Sequence, residues 1–391
     1  MPDQGFTART IAATADIPAA TWNAMLPGSS GRPDNPFLDH AFFLALEQSG
    51  CATRRTGWQP QHVLVSDAGG EPLGLMPLYL KGHSQGEYVF DYGWADAFER
   101  AGGSYYPKLQ CSIPFTPVTA PKLLVPSGAP NIRQALLAAA ETLAERHGIS
   151  SVHATFVTAE EAELASASGW LLRHDTQFHW HNEGYTSFDD FLASLSSRHR
   201  KTTRRERRDA LAGGLEVRWL TGGDLTESVW DAFYEFYTDT GSRKWGRPYL
   251  NRTFFSLLSA AMADRIVLMF AYDGGEPVAG TLSLIGSDTL YGRYWGATRE
   301  QPFLHFELCY YQAIDFALSH GLTTVEAGAQ GQHKLARGYV PATTRSVHWI
   351  GHAGLRQAVA GFLDQERDAV DHEQRLLNEL APFRRGEPGS G

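Results

Sequence analysis

Three patterns are missing from this 391-residue sequence, and each absence excludes a class of protein. Cysteine occurs only three times, at Cys51, Cys111 and Cys309, so these widely spaced thiols predict neither a disulfide framework nor a Cys-x-x-Cys metal site. A reducing compartment fits this usage. No run approaches the roughly 18 consecutive apolar residues of a membrane-spanning helix, and no early apolar run resembles a signal peptide. We therefore expect a cytoplasmic protein without a membrane span.

A surplus of positive charge is also missing. The formal charge is −9, which argues against a surface broadly coated by nucleic acid. The exception is one basic run, which lies in a helix predicted over residues 196–212. The run supplies the candidate cations for an anionic partner, and these are Arg198, Lys201, Arg204, Arg205 and Arg208. A solvated helix that pairs with surplus acids would carry the same pattern.

The length and an internal repeat predict two domains. A chain of 391 residues exceeds the usual size of one core, and 43% hydrophobic content is that of a folded protein. VLVSDAGGEPLGLMPLYL in the first half matches VLMFAYDGGEPVAGTLSLI in the second, and the aromatic segments EYVFDYGW and TLYGRYWG that follow them correspond as well. Two copies of one α/β unit explain this match, although Asp-Gly-Gly-Glu-Pro is also good hairpin chemistry alone. We expect domains at 1–184 and 185–391, the second ending in a long helix.

The stretch 282–339 is the richest in chemically capable residues. An apolar run at 282–285, a turn at 286–288 and an aromatic strand at 289–295 predict a β-hairpin. A helix with apolar positions from Phe306 to Ala317 follows and ends at Gly321, and a strand at 323–327 comes next. Polar residues then gather at the strand ends, where open α/β sheets bind ligands.

These segments carry a resemblance to a known family. The doubled unit, the basic helix SLSSRHRKTTRRERRDALAGGLEV and the stretch 303–339 resemble the Fem-like members of the GNAT acyltransferase superfamily. More narrowly, NPFLDHAFFLALEQSG is similar to the bacterial peptidoglycan biosynthesis or recognition proteins. The resemblance implies a mixed α/β fold of two tandem GNAT-like domains, each a twisted mixed sheet flanked by helices, with a cleft between them. It also implies transfer of an acyl or aminoacyl group to an amine.

One loop departs from the superfamily pattern. Acyl-CoA-dependent GNAT enzymes bind pyrophosphate with a Gly-rich loop at a helix N-terminus, but residues 299–305 here read REQPFLH and contain no glycine. This puts an acyl-CoA donor in doubt. Fem-type transferases use aminoacyl-tRNA, and the basic helix could then contact tRNA phosphates. We expect no tightly bound cofactor, because the donor, either aminoacyl-tRNA or acyl-CoA, acts as a co-substrate.

Acyl transfer to an amine needs a proton acceptor, donors for the tetrahedral oxyanion and a closed cleft. The catalytic candidates are Glu307 and Glu326, either of which could be the base, and His305. A glutamate at a helix start is often only a cap. His333 or Lys334 could bind a substrate carboxylate or phosphate. The substrate-binding candidates of this half are Tyr291, Arg293, Tyr294, Gln330, Gln332, His333, Lys334, Arg337 and Tyr339.

The first half offers a further polar cluster with Asp91, Trp94 and Lys108 as substrate-binding candidates. A strand predicted over 87–94 would place Asp91 on an otherwise apolar face. The simpler interpretation is that Asp91 stabilises the fold by bonding Lys108 or a tyrosine hydroxyl. A metal site built from His305, Glu307, Glu326 and His333 is disfavoured, because helix positions i and i+2 point to different faces.

The sequence therefore predicts an N-acyltransferase or aminoacyltransferase that acts on an amine of a cell-wall precursor, peptide or small metabolite. An acyl-CoA-dependent N-acyltransferase is the second enzyme hypothesis. A non-catalytic protein that recognises peptidoglycan or another anionic ligand is the alternative from another class.

Overall fold

The computed structural model describes residues 5–26, 34–126, 129–244, 248–328 and 331–384 of a mixed α/β protein. Its strands are β1 (Thr7–Ile11), β2 (Trp58–Pro60), β3 (His62–Ser66), β4 (Pro72–Met76), β5 (Leu78–Lys81), β6 (Lys108–Cys111), β7 (Ser151–Val157), β8 (Leu171–His181), β9 (Glu216–Thr221), β10 (Ile266–Asp273), β11 (Glu276–Ile285), β12 (Thr289–Ala297), β13 (Thr324–Glu326) and β14 (Val340–Ile350). Its helices are α1 (Ala19–Asn23), α2 (His40–Gln48), α3 (Tyr92–Arg100), α4 (Pro130–His147), α5 (Ala159–Ala167), α6 (Phe188–Ser194), α7 (Ser197–Ala210), α8 (Glu227–Lys244), α9 (Arg252–Met262), α10 (Leu304–Phe306), α11 (Gln312–Ser319) and α12 (Ala353–Glu379).

The chain forms two compact units, each assembled from separate stretches. The first unit comprises Met1–Asp175, Tyr249–Phe254 and Thr343–Asp371. The second unit comprises Thr176–Pro248, Phe255–Ala342 and His372–Gly391. The division into contiguous domains at 1–184 and 185–391 stays a prediction of the sequence.

Two sets of strands build the first unit. β1, β3 and β4 form an antiparallel sheet in the order β1-β3-β4, in which Val63 pairs with Met76 across the β3–β4 hairpin. A second set has the order β2-β5-β6-β7, and β7 pairs in turn with the part of β14 from Arg345 to Ile350. The apolar segment PLGLMPLYL predicts a single strand over 72–80, and this prediction is wrong. The segment is interrupted at Pro77, whose missing N–H cannot join a ladder, and β4 and β5 enter different sheets.

The strand predicted over Glu87–Trp94 is also wrong. Tyr88 adopts a φ of +57°, and the chain enters helix α3 at Tyr92 instead. The buried side chains of Glu87 and Asp91 are bound by lysines, so charge pairing overrides the strand preference of the aromatic residues here. The match between EYVFDYGW and TLYGRYWG consequently does not extend to secondary structure.

The second unit contains the predicted hairpin. Its strands have the order β8-β13-β12-β11-β10-β9, in which β12 and β13 are parallel and the other pairs are antiparallel. The polypeptide between β12 and β13 contains α10, a π-helical turn (Glu307–Tyr311) and α11, so it is a βαβ crossover. The β11–β12 register shifts by one residue after Leu282, which leaves Arg293 as the extra residue of a β-bulge.

Local caps position the helices near this sheet. The sequence around Phe188, Phe191, Leu192 and Leu195 predicts a helix that is capped by Ser187 and runs on into the basic run. The cap is confirmed, because the Ser187 side chain accepts a hydrogen bond from the backbone N–H of Asp190 at the start of α6. The continuation is wrong, because Leu195 is extended at ψ 151° and α7 begins anew at Ser197. Gly321, at φ +69°, follows the end of α11 as predicted. Within the described ranges, no helix has the length and hydropathy needed to cross a membrane.

Each unit has its own apolar core. In the first unit, Leu136 and Ala140 of α4 pack among buried residues of β3, β4, β6 and β7. In the second unit, Ile314 of α11 packs among Trp180, Leu290 and Val325, which come from β8, β12 and β13. The apolar face of the crossover helix therefore fixes the ends of β12 and β13.

Candidate functional site

The candidate site lies where β13 ends beside β12. The parallel pairing runs from Thr289 opposite Thr324 to Tyr291 opposite Glu326, after which β12 continues alongside β11. The bulge places Arg293 next to this end, where its Nη2 atom donates to Glu326 Oε2 at 3.0 Å. Both side chains are almost fully buried, with exposed fractions of 2% and 8%. A bulge that re-aims a charged side chain at a strand end is typical of functional sites.

His179 of β8 joins this pair. Its Nε2 atom lies 3.9 Å from Glu326 Oε1 and 3.1 Å from Gln177 Oε1. Burial lowers the pKa of His179, the Glu326 carboxylate opposes this effect, and the positive charges of Arg293 and Lys334 reinforce it. The imidazole is therefore neutral near pH 7 and lies beside a carboxylate that would stabilise its protonated form.

Lys334 supplies the second cation of the cluster. It belongs to a 3₁₀ helix (Gln332–Arg337), is only 2% exposed, and donates from Nζ to the carbonyl oxygen of Gly328 at 2.9 Å. The pKa of Lys334 is lowered to about 8, chiefly by burial; Cys309 opposes this effect and the nearby Arg293 adds to it. Lys334 lies close enough to Arg293 and His179 for their charges to interact, and the carboxylate of this cluster, Glu326, is bound by Arg293. The resulting buried excess of positive charge favours an anion or a developing oxyanion.

His305 and His333 lie in an aromatic cluster of the same unit. Their ring centroids are 6.3 Å apart, and His305 also packs on Trp295 and Tyr310. The Tyr310 hydroxyl lies 2.8 Å from His333 Nε2. No group of three His, Cys, Asp or Glu suited to a metal ion occurs among the residues that the structure describes.

Glu307 is buried in the π-helical turn and faces α7. Its two carboxylate oxygens accept hydrogen bonds from Arg207 at 2.9 and 3.1 Å, and Oε1 also accepts one from Gln312 at 2.8 Å. Burial raises the pKa of Glu307, while Arg207 opposes that rise. These contacts connect two helices and do not include Glu326, so the structure does not bring the two predicted bases together.

The other predicted residues of the second unit have varied surroundings. Tyr291 is buried on β12, and burial raises the pKa of its hydroxyl. Tyr294 packs edge-on against Tyr237, and the buried Tyr339 donates from its hydroxyl to the Tyr310 carbonyl at 3.1 Å. Arg337 binds Glu206 of α7. Gln330 lies outside the described residues, and the side chain of Gln332 does as well.

Asp91, Trp94 and Lys108 come together in the first unit. Lys108 Nζ donates to Asp91 Oδ2 at 2.6 Å, and the Tyr105 hydroxyl donates to the same oxygen at 2.7 Å. Burial would raise the pKa of Asp91, but Lys108 and His153 outweigh it and hold the pKa well below its usual range. Trp94 packs edge-on against His348, with ring centroids 5.0 Å apart. The contacts are those that the simpler, fold-stabilising interpretation of Asp91 predicts.

The basic helix presents two different faces. Its candidate anion-binding side chains are exposed, and these are Arg198, Lys201, Arg204, Arg205 and Arg208. Its other face buries Thr203, Glu206 and Ala210. Arg198 and Arg200 in the first turn oppose the helix macrodipole, so their placement needs another reason than helix stability.

Sequence reasoning missed His179. The available signal was the alternation of Gln177, His179 and His181, which puts three polar side chains on one face of the strand β8. Cys309, half-buried, was missed as well, and it lies close enough to Lys334 to influence the pKa of that lysine. A spacing of 25 residues between these two gives no signal, because only the crossover brings them together.

Comparison with known proteins identifies the family. The profile of the FemAB-like family, described as peptidoglycan biosynthesis/recognition, matches residues 13–385. The chain belongs to the FemAB-like family. The Fem-like resemblance and the mixed α/β fold predicted from the sequence are confirmed by this match and by the order of helices and strands. No curated protein matches this FemAB-like chain significantly.

Solved structures share the fold of this FemAB-like protein at low sequence identity. A conserved protein of unknown function from Bacteroides thetaiotaomicron matches with a TM-score of 0.54 and 12% identity, over 88% of this chain and 100% of its own. L-PGS from Bacillus licheniformis matches with a TM-score of 0.51 and 10% identity, over 90% and 98%. At these identities the likeness shows the fold alone.

Proposed function

We propose that this protein transfers an acyl or aminoacyl group to an amine of a cell-wall precursor. The observation that carries the proposal is the buried cluster of Arg293, Glu326, His179 and Lys334 at the end of β13. Its surplus positive charge suits a reaction in which negative charge develops on a carbonyl oxygen. The description of the FemAB-like family supports the cell wall as the source of the acceptor.

The chemistry is nucleophilic substitution at a carbonyl carbon. The amine nitrogen attacks the carbonyl carbon of the donor, the C–N bond forms, and the carbonyl oxygen becomes an oxyanion. Collapse of this intermediate breaks the C–O bond of an ester or the C–S bond of a thioester. The proton lost by the nitrogen ends on the departing oxygen or sulfur, so no oxidant or reductant is needed.

Each member of the cluster has a role in this reaction. The Lys334 ammonium and the Arg293 guanidinium stabilise the oxyanion, because buried donors act more strongly there than in water. The neutral imidazole of His179 accepts the proton of the amine and passes it to the leaving group. Glu326, 3.9 Å from His179 Nε2, stabilises the imidazolium that forms. This role replaces direct base catalysis by Glu326, whose carboxylate is already bound by Arg293.

The exposed face of α7 favours aminoacyl-tRNA as the donor. Five exposed cations on a single helix can neutralise several phosphates of a nucleic acid, which is more than one pyrophosphate offers. The loop before α10 offers little to a CoA pyrophosphate. Gln301 in this loop donates to the carbonyl oxygens of Asp209 and Ala210, and the Glu307 carboxylate lies near the helix start. Acyl-CoA remains the second donor class.

A panel of donors and amine acceptors, assayed for product by mass spectrometry, tests the proposal. With an active pair, Lys334→Met should lower kcat about 100-fold or more, because one oxyanion donor is lost. Lys334→Arg, which keeps the charge, should lose less. His179→Gln should also lower kcat about 100-fold while the acceptor KM changes little. Because Lys334 acts in its protonated form, the rate should decline as pH rises through about 8.

Tight binding of a cell-wall precursor without product from any aminoacyl-tRNA or acyl-CoA would contradict the transferase proposal. That outcome would instead favour a protein that recognises the precursor. Product formation that survives Lys334→Met unchanged would contradict the role of this lysine.

A further inference from the structure

Glu206 is a buried acid inside the basic run of α7. Its neighbours Arg204 and Arg205 are exposed, whereas Glu206 is only 5% exposed and lies on the inner face with Thr203 and Ala210. A buried carboxylate is stable only with partners that offset its lost hydration. The partners of Glu206 therefore show what this face of α7 holds in place.

Two side chains from other elements bind the Glu206 carboxylate. Arg337 donates from Nη2 to Oε1 at 2.9 Å and from Nε to Oε2 at 3.1 Å, which is a bidentate pair. The Tyr311 hydroxyl donates to Oε2 at 2.5 Å. A bidentate guanidinium–carboxylate pair restricts direction as well as distance, so Glu206 fixes the orientation of Arg337.

Arg337 transfers this restriction to the backbone of the 3₁₀ helix Gln332–Arg337. Its Nη1 atom donates to the carbonyl oxygen of His333 at 2.6 Å. Its guanidinium carbon lies over the ring of Phe306, 3.4 Å from the centroid, and this cation–π contact further restricts the guanidinium group. The peptide bond that Arg337 binds is the one that joins His333 to Lys334.

Lys334 depends on this backbone for its direction. Its side chain is a flexible four-carbon chain, and its Nζ atom reaches the Gly328 carbonyl at 2.9 Å. The N–H of this peptide group, Lys334 N, donates to the Gly331 carbonyl at 3.0 Å, and the Lys334 carbonyl accepts from Tyr339 N at 3.3 Å. Loss of the Arg337 contact would therefore remove the side-chain hydrogen bond to the His333 carbonyl and loosen the backbone from which the lysine side chain extends.

We propose that Glu206 and Arg337 are positioning residues that hold Lys334 in the candidate site, and that α7 thereby connects its exposed basic face to this lysine. Arg337 then has no direct contact with substrate, in contrast to the substrate-binding role expected from the sequence. The chemical role of Lys334 rests on the proposed transferase function, whereas the positioning does not.

Side-chain NMR of the lysines tests the positioning without any substrate. The chain has six lysines, at 81, 108, 122, 201, 244 and 334, so ¹³Cε-labelled lysine gives few signals, and Lys334→Arg identifies the relevant one. In the unmodified protein this signal should titrate near pH 8. In both Glu206→Gln and Arg337→Gln the midpoint should rise by one pH unit or more, toward the value of about 10.4 for a solvated lysine.

The two substitutions distinguish positioning from a direct electrostatic effect. Through space alone, loss of the Glu206 negative charge would lower the Lys334 midpoint, and loss of the Arg337 positive charge would raise it. A fall or no change in Glu206→Gln would therefore overturn the proposal. Arg205→Gln, an exposed change on the same helix, is the matched control and should leave the midpoint unchanged.

Tyr311→Phe is the second variant, in case Glu206→Gln does not fold. It removes one hydrogen bond to Glu206 and no charge, and it should raise the midpoint by a smaller amount. An unchanged midpoint in this folded variant would also count against the proposal. Because product formation is measured separately, a failed transferase assay leaves the result of the titration intact.

Discussion

The Nδ1 atoms of His153 and His348 lie 2.7 Å apart in the first unit, where both rings are buried. At this distance one nitrogen must donate a proton and the other must accept it, so the accepting ring is neutral. Burial lowers the pKa of both histidines and keeps the donating ring neutral as well. The Nε2 atom of His153 lies 2.7 Å from Ser151 Oγ and 3.9 Å from Asp91 Oδ2. We therefore assign the shared proton to His348 and the Nε2 proton to His153. This leaves the buried Nε2 of His348 as an unbonded acceptor, which costs less than an unbonded donor.

This histidine pair should make the protein acid-sensitive. Burial, followed by the positive charge of Lys108, lowers the pKa of His153 to about 3, and Asp91 only partly opposes this effect. Burial lowers the pKa of His348 well below its usual value as well. A histidine in the unfolded chain takes up a proton near pH 6.5, whereas the buried pair stays neutral. The contribution of the pair to the free energy of unfolding is therefore complete above pH 6.5 and is lost as the pH falls below it. Urea unfolding between pH 7.5 and 5 should show a loss of up to about 1.4 kcal/mol per pH unit for each histidine.

His348→Gln is the variant that isolates this effect. It removes one of the two buried titrating groups, so its stability should depend less steeply on pH than that of the unmodified protein. His320→Gln, a surface change in the second unit, should keep the original slope. An equal pH slope in His348→Gln and the unmodified protein would show that the pair does not cause the acid sensitivity.

Arg207 should contribute more to stability than its neighbour Arg208. Arg207 binds the fully buried Glu307 and also Asp315, at 2.7 Å, whereas Arg208 is 73% exposed and binds the adjacent Asp209. Arg207→Ala leaves a buried carboxylate without its cation and should lower the free energy of unfolding by about 3 kcal/mol. Arg208→Ala should change it by less than about 0.5 kcal/mol. Chemical denaturation measures both, and equal effects would refute the structural role of Arg207.

The exposed face of α7 should contribute to RNA affinity in a salt-dependent way. Replacing Arg204, Arg205 and Arg208 by Ala should weaken tRNA binding, and the slope of log K against log salt should become shallower by about 2 to 3. Binding of CoA should not change. The matched control replaces three exposed arginines elsewhere, Arg100, Arg146 and Arg218. An equal loss of affinity in both triple variants would show that only overall charge matters, and no loss in either would rule out tRNA contact by this helix.

Gly296 on β12 should tolerate no side chain. A Cβ atom at this position would lie 1.9 Å from the backbone oxygen of Phe236 in α8, which cannot move without shifting that helix. Gly296→Ala should therefore lower the free energy of unfolding by at least about 2 kcal/mol or prevent folding. Gly223→Ala has open space around it and should be nearly neutral. Comparable thermal unfolding midpoints for the two variants would contradict the close approach of β12 and α8.

Local patterns were sufficient for the elements whose contacts are short-range. Alternating apolar residues around Gly-Gly turns predict the β3–β4 and β10–β11 hairpins, and the structure confirms both. Ser187 predicts the start of α6 through a hydrogen bond three residues away. The β-branched and aromatic residues of SVHATFV predict a strand over 151–157, which β7 confirms. The aromatic segment at 87–94 was predicted wrongly, because buried ion pairs with lysines of β5 and β6 decide its conformation.

The sequence by itself determined the family, the mixed α/β class and the presence of a basic helix, since each depends on residue order within one segment. Only the tertiary structure decided which charged groups meet. It pairs Glu326 with Arg293 and adds His179, it binds Glu307 to Arg207, and it directs Arg337 toward Glu206. The partners in these buried polar contacts lie 33 to 147 residues apart, from Arg293–Glu326 to His179–Glu326. No local preference specifies such pairs, because the energy of each depends on desolvation and on distances that exist only after the sheet and its crossover helix have formed.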